Sequence, residues 1–80
     1  MKNLVETIVK NIVDKEDLVS VKEIEASKNN VIIEIVVDKS DLGKVIGKHG
    51  KTAHSIRNII FASSFKTGKR YTVDISAEGE

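Results

Sequence analysis

Apolar residues recur at helical spacing from the start of the chain: Leu4, Val5, Ile8, Val9, Ile12 and Val13 fall three and four apart. This spacing predicts an amphipathic helix over residues 2–14 with one stripe turned to a core. The polar run Asp14-Lys15-Glu16-Asp17 ends it. Residues 19–27 read as a strand, but the alternation slips phase between Val21 and Ile24, which predicts a bulge or a late strand start. Lys28-Asn29-Asn30 reads as a turn, because Asn tolerates the positive φ that tight hairpins need. Residues 31–37 alternate most clearly, with Ile33, Ile35 and Val37 on one face and Ile32, Glu34 and Val36 on the other. Ser40 or Asp38 stands where a cap for a short helix over 41–46 would be. Beyond Gly47 and Gly50 a longer helix is expected over 51–64, with Ala53, Ile56, Ile59 and Ile60 clustered on one side. A basic turn over 66–70 leads to a last strand, 71–76, in which Tyr71, Val73 and Ile75 alternate with Thr72, Asp74 and Ser76. Residues 77–80 are expected to fray.

The predicted order is α-β-β-α-α-β. Two helices separate the second and third strands, so a parallel pairing is sterically available. The expectation is an α+β fold with a three-stranded mixed sheet and three helices on one face. It forms a single domain over 1–80 with its core in about 2–76. Eighty residues, 40% of them hydrophobic, support one small core. A chain of this length buries little more than ~60% of its unfolded surface, which argues against a large multilayer enzyme. No cysteine is present, so disulfides, thiolate zinc sites, iron–sulfur clusters and cysteine nucleophiles are excluded. The longest apolar run, Ile59–Ala62, is four residues, against the ~20 that span a bilayer. Glu6 interrupts any signal-peptide core. A soluble cytosolic protein with no membrane partner is expected.

The net charge of +1 conceals a segregation. Residues 1–41 hold six Lys against nine acids. Residues 42–73 hold seven bases (Lys44, Lys48, Lys51, Arg57, Lys66, Lys69 and Arg70) and no acid. Asp74, Glu78 and Glu80 follow. Such asymmetry is either an ordinary Lys-rich solvated surface or a face that attracts anions.

The acid-free stretch contains Leu42-Gly43-Lys44-Val45-Ile46-Gly47-Lys48-His49-Gly50-Lys51-Thr52-Ala53-His54-Ser55-Ile56. Two glycines three apart join two helical segments. Gly-x-x-Gly permits reversal through positive φ and strips Cβ atoms from the turn, so a polymer backbone can approach closely. Amides at the start of the second helix favour an anion. Lys48 and His49 project from the turn, the first suited to a phosphate and the second to hydrogen bonding or stacking. Lys44, Lys51 and Arg57 add cations on either side. Val45 and Ile46 precede the turn and suit an apolar floor for a base.

Val45-Ile46-Gly47-Lys48-His49-Gly50 followed by Ile56 resembles the KH-domain signature, with Ala53 in place of its first later Ile. The element order resembles the type II arrangement of that fold, and the whole chain resembles small bacterial KH proteins of the KhpA type. The resemblance implies a non-catalytic, cofactor-free protein that holds about four nucleotides of single-stranded RNA between the glycine loop and the sheet edge. It places the clamp at Gly47, Lys48, His49 and Gly50, and the groove at Val45, Ile46, Ile56 and one residue of strand 31–37. It also implies a homodimer, a larger KhpB-type KH partner, and roles in RNA chaperone activity, RNA regulation, cell elongation and cell-wall homeostasis.

Competing chemistries fit less well. A phosphate-binding P-loop ending in Gly50-Lys51-Thr52 would need Gly at position 45, which is Val45. His49 and His54 have zinc-like spacing, but no cysteine and no acid within 42–73 completes a site. No nucleophile has an evident His–acid pairing, and no small-molecule substrate is implied. Phe61 falls away from the Ala53/Ile56/Ile60 side, near His54, Asn58 and Phe65. That second apolar face suggests a dimer interface at His54, Asn58, Phe61 and Phe65, or packing of the two Phe rings beneath the first helix. If the glycines were only a helix cap and a turn, the chain would be a protein-interaction domain with little RNA binding of its own.

Overall fold

The computed structural model describes residues 1–78. In chain order it contains α1 (Lys2–Lys10), β1 (Ser20–Ser27), β2 (Asn30–Val37), α2 (Leu42–Ile46), α3 (Lys51–Ser64) and β3 (Arg70–Ala77). Short 3-10 turns lie at Glu16–Leu18 and Lys48–Gly50. The order is the expected one, and the sheet is mixed: β2 is central, antiparallel to β1 and parallel to β3. This is the α+β arrangement of a type II KH fold.

β2 is central because it is the most apolar strand. Val31, Ile33, Ile35 and Val37 are buried together with Val5 and Val9 of α1, Val45 of α2, and Ala53, Ile56 and Ile60 of α3. β3 turns Tyr71, Val73 and Ile75 to the same side, in register with Val31, Ile33 and Ile35, where they stay only partly buried. Each fully buried Ile or Val contributes about 1.5–3 kcal/mol, so Ile33→Ala should cost about 2–5 kcal/mol.

Several boundaries differ from the sequence reading. α1 stops at Lys10 rather than 14. The Asn11 backbone and side-chain amides both donate to the Thr7 carbonyl, at 3.2 and 2.9 Å. The Ile12 amide tightens onto the Val9 carbonyl at 3.0 Å. The Val13 amide reaches the same carbonyl at 3.2 Å, and only the amides of Asp14 and Lys15 turn away to the Asp41 carboxylate. Val13 is still buried without being helical.

No bulge separates Val21 from Ile24. Pairing with β2 is continuous from Ser20 to Glu25, and the register shifts only between Glu25 and Ser27. Ile24 lies on the open face opposite Ile32. Glu23 takes the helix-side position and accepts the Lys2 amide at 2.6 Å, beside the Met1 ammonium at 3.6 Å. The hairpin closes without positive φ at Asn29 or Asn30. The register shift and an Asn30 Nδ2–H bond to Ser27 Oγ (2.7 Å) do the work expected of a left-handed residue.

Neither Ser40 nor Asp38 caps α2. The Asp38 carboxylate accepts the Ser40 amide at 3.0 Å and the Ser40 hydroxyl, and these bonds hold the Asp38 carboxyl below its ordinary pKa. The N-cap is Asp41, whose carbonyl accepts the Lys44 and Val45 amides at 3.0 and 3.2 Å. Ile59, expected with the buried cluster, is exposed. Ala77, expected to fray, is buried opposite Val37, and the Glu78 amide donates to the Val37 carbonyl at 2.8 Å. The rest of the tail expected to fray, 79–80, lies outside the described residues. Among the described residues no helix is long and apolar enough to cross a membrane.

Candidate nucleic-acid interface

α2 ends where the Gly47 amide donates to the Gly43 carbonyl at 2.8 Å. Gly47 then adopts φ 77°, His49 φ 56° and Gly50 φ 74°. The two glycines serve different needs. A Cβ on Gly47 would lie 2.3 Å from Thr52 Oγ1 and 2.8 Å from the Thr52 nitrogen, so the close approach of α3 requires glycine there. A Cβ on Gly50 would meet nothing within 4 Å. The outer side of Gly50 is therefore open to an approaching polymer. His49 holds a left-handed conformation without being glycine, a region in which His is enriched.

The loop amides divide in the same way. Those of Gly50 and Lys51 bond within the loop, to the Gly47 carbonyl (3.1 Å) and the Lys48 carbonyl. The expectation that amides at the start of α3 face outward thus narrows. Among the described residues, the Lys48 and His49 amides make no hydrogen bond, and both side chains are exposed.

The other predicted residues separate. Ile46 is 39% exposed beside the loop, whereas Val45 and Ile56 are buried at 0% and 1%. Those two pack under the loop as core and present no surface to a base. The Lys44 ammonium bonds the Asp14 carboxylate and lies 3.9 Å from that of Asp41. The bond to Asp14 raises the Lys44 pKa above its ordinary value. Lys48, Lys51 and Arg57 carry no ion pair among the described residues, while Lys69 pairs with Glu25 at 3.7 Å.

From the loop, α3 runs back along β3 and leaves a groove of about 410 Å³ lined by His54, Arg57, Asn58, Phe61, Tyr71, Thr72 and Val73. The expected strand contribution from 31–37 does not occur, because β2 is enclosed between its neighbours and β3 forms the edge. That signal was available: a hairpin occupies one side of β2, so the strand after the helices must take the other. The groove brings Arg57 together with three residues assigned to a dimer face, His54, Asn58 and Phe61. It continues past Phe61 into a second depression of about 310 Å³ lined by Phe61, Ser64, Phe65 and residues 68–71. The Phe61 and Phe65 rings meet edge to face at 5.1 Å. They do not pack beneath α1: they are 65% and 75% exposed. Among the described residues no cluster of His, Cys, Asp or Glu could hold a metal.

The family model "KhpA/KhpB, KH domain" matches residues 2–75. The RNA-binding protein KhpA of Aquifex aeolicus is 47% identical over 75 residues, covering 94% of each chain. The RNA-binding protein KhpA of Clostridium acetobutylicum is 45% identical over 75 residues, covering 94% of this chain and 99% of its own. A crystal structure of Era in complex with MgGDPNP and nucleotides 1506–1542 of 16S ribosomal RNA shares the fold, with a TM-score of 0.61 at 21% identity. That match covers 95% of this chain and 29% of the Era chain.

Proposed function

The chain belongs to the KhpA/KhpB family of KH domains, and on that premise we propose that it is a non-catalytic RNA-binding protein that clamps a single strand with residues 47–50. One observation carries the reading. Among the described residues, the Lys48 and His49 amides make no hydrogen bond, beside exposed cationic and imidazole side chains and an open face at Gly50. Two unbonded amides next to an exposed lysine suit a phosphate. The α3–β3 groove lies beyond the loop with Arg57 and Tyr71 to meet bases and sugars, and Ile46 stands exposed beside the loop.

The Lys48→Asp/His49→Asp protein tests this against a labelled single-stranded RNA by fluorescence anisotropy. Binding should be lost while the circular dichroism spectrum is unchanged. Equal affinity of the double variant and the wild type would reject the clamp.

Exposure of Phe61 and Phe65 supports a second component, a homodimer whose interface includes these rings. Two clamps on one RNA raise apparent affinity through effective concentration. Phe65→Asp should lower the mass in light scattering and weaken binding to long RNA more than to short RNA. A wild type that is monomeric at high concentration removes this component. The family resemblance extends the proposal to a cytoplasmic RNA chaperone that pairs with a larger KhpB-type KH protein in RNA regulation, cell elongation and cell-wall homeostasis. The alternative is a protein-interaction domain with a structural glycine loop. It predicts self-association without RNA binding in protein freed of co-purified nucleic acid.

A further inference from the structure

We propose that Asp41 positions the glycine loop by tying the first turn of α2 to the segment after α1, and that Lys44 and Asp14 complete this tie instead of meeting RNA. The inference rests on the RNA-binding reading of residues 47–50 and assigns roles to three residues around it.

Asp41 is 1% exposed. A buried carboxylate persists only where partners replace water. Asp41 has them on two elements: the Asp14 and Lys15 amides donate to Oδ1 and Oδ2 at 3.3 and 3.0 Å, and the Lys44 ammonium lies 3.9 Å away. Its carbonyl also accepts the first amides of α2, from Lys44 and Val45. One residue thus closes the loop after α1 and opens α2.

This matters for the clamp because α2 is only five residues long. Helices shorter than ~12–15 residues do not hold themselves together in water. The direction of α2 therefore depends on Val45, which is fully buried, and on the Asp41 tie. α2 runs directly into Gly47 through the Gly47–Gly43 bond, so a tilt of α2 moves the loop.

Lys44 lies in the basic, acid-free half of the sequence, yet its charge faces two carboxylates. The Lys44 and Asp14 side chains are 47% and 77% exposed, so their pairing adds little stability alone. Its effect is to fix the position of the charge. Lys48, Lys51 and Arg57 remain free to displace counterions from a phosphate backbone; Lys44 does not.

The test uses the full chain and a labelled single-stranded RNA, with affinity measured across salt concentrations and amide exchange measured for Gly47 and Gly50. Lys48→Ala should flatten the log–log salt slope by about 0.7, the contribution of one phosphate contact. Lys44→Ala should leave the slope at its wild-type value. Asp14→Asn frees Lys44 and should steepen the slope by up to about 0.7. Asp41→Asn should retain the circular dichroism spectrum, weaken affinity roughly tenfold at an unchanged slope, and speed exchange at Gly47 and Gly50. If Asp41→Asn fails to fold, the Lys44 and Asp14 slopes decide the matter. Equal flattening by Lys44→Ala and Lys48→Ala overturns the proposal. So does a folded Asp41→Asn protein with wild-type affinity and exchange. A wild type that binds no RNA overturns the reading of the clamp instead, and exchange at Gly47 and Gly50 in Asp41→Asn then decides the tie alone.

Discussion

At the scale of single residues, the two loop glycines look equivalent in the sequence and are not. Gly47→Ala adds a methyl into the Thr52 backbone and side chain as well as left-handed strain. The strain costs about 1–2 kcal/mol, and overpacking adds about 1–3 kcal/mol. For a domain this small, each kcal/mol lowers Tm by roughly 4–8 °C, so thermal denaturation should show a fall of at least about 10 °C. Gly50→Ala has the strain without the collision and should lower Tm by about half as much. Its methyl occupies the open side of the loop, so RNA affinity should fall in a protein that remains folded. Equal Tm losses in the two variants would contradict this division. The turn itself was legible because positive-φ glycines at fixed spacing carry their own signal. Thr52 and Asp41 were not, since each acts through a neighbour that only the folded chain supplies. Val45 and Ile56 misled for a related reason: an apolar residue beside a loop has the same sequence signal whether it faces a ligand or the core.

At the scale of elements, order and type were legible and ends were not. The order followed from hydrophobic periodicity, which is local. The ends were set by distant groups: Asp41 takes the amides that would have extended α1, and Val37 holds the end of β3. The β2–α2 connection also carries a pH dependence. Its Asp38 carboxyl has a folded pKa below the unfolded one because Ser40 donates to it. That stabilisation is present above the unfolded pKa and is lost as pH falls through the folded value. Asp38→Asn should therefore make stability fall less steeply on acidification, read as the pH dependence of Tm below about pH 4.5. An identical acid limb in wild type and variant would show that the Ser40 contacts do not persist in solution. The exposed side of α3 is a third case. Periodicity put Ile59 with the core, yet it is 42% exposed, because the stripe of Ala53, Ile56 and Ile60 already takes the buried side of the helix.

At the scale of the whole molecule, charge directs a polyanion to one side. The open sheet face is balanced, with Glu34 and Asp74 set among Lys22 and Arg70, so it offers a polyanion no net attraction. On the helix side, Lys48, Lys51 and Arg57 have no ion-pair partner among the described residues. If these three meet phosphates, the slope of log affinity against log salt is about −2 for a single strand. Raising salt from 50 to 200 mM should then weaken binding of a short RNA roughly sixteenfold. Were Lys44 a fourth contact, the slope would approach −2.8 and the loss roughly fiftyfold. The two outcomes are readily separated in one anisotropy titration series. A slope near zero would mean that binding does not run through phosphates, and the basic half of the chain would then be an ordinary solvated surface. The steepness of the salt response thus counts the cations that meet phosphates. That number depends less on the seven bases in residues 42–73 than on which of them the acidic segment after α1 has already engaged.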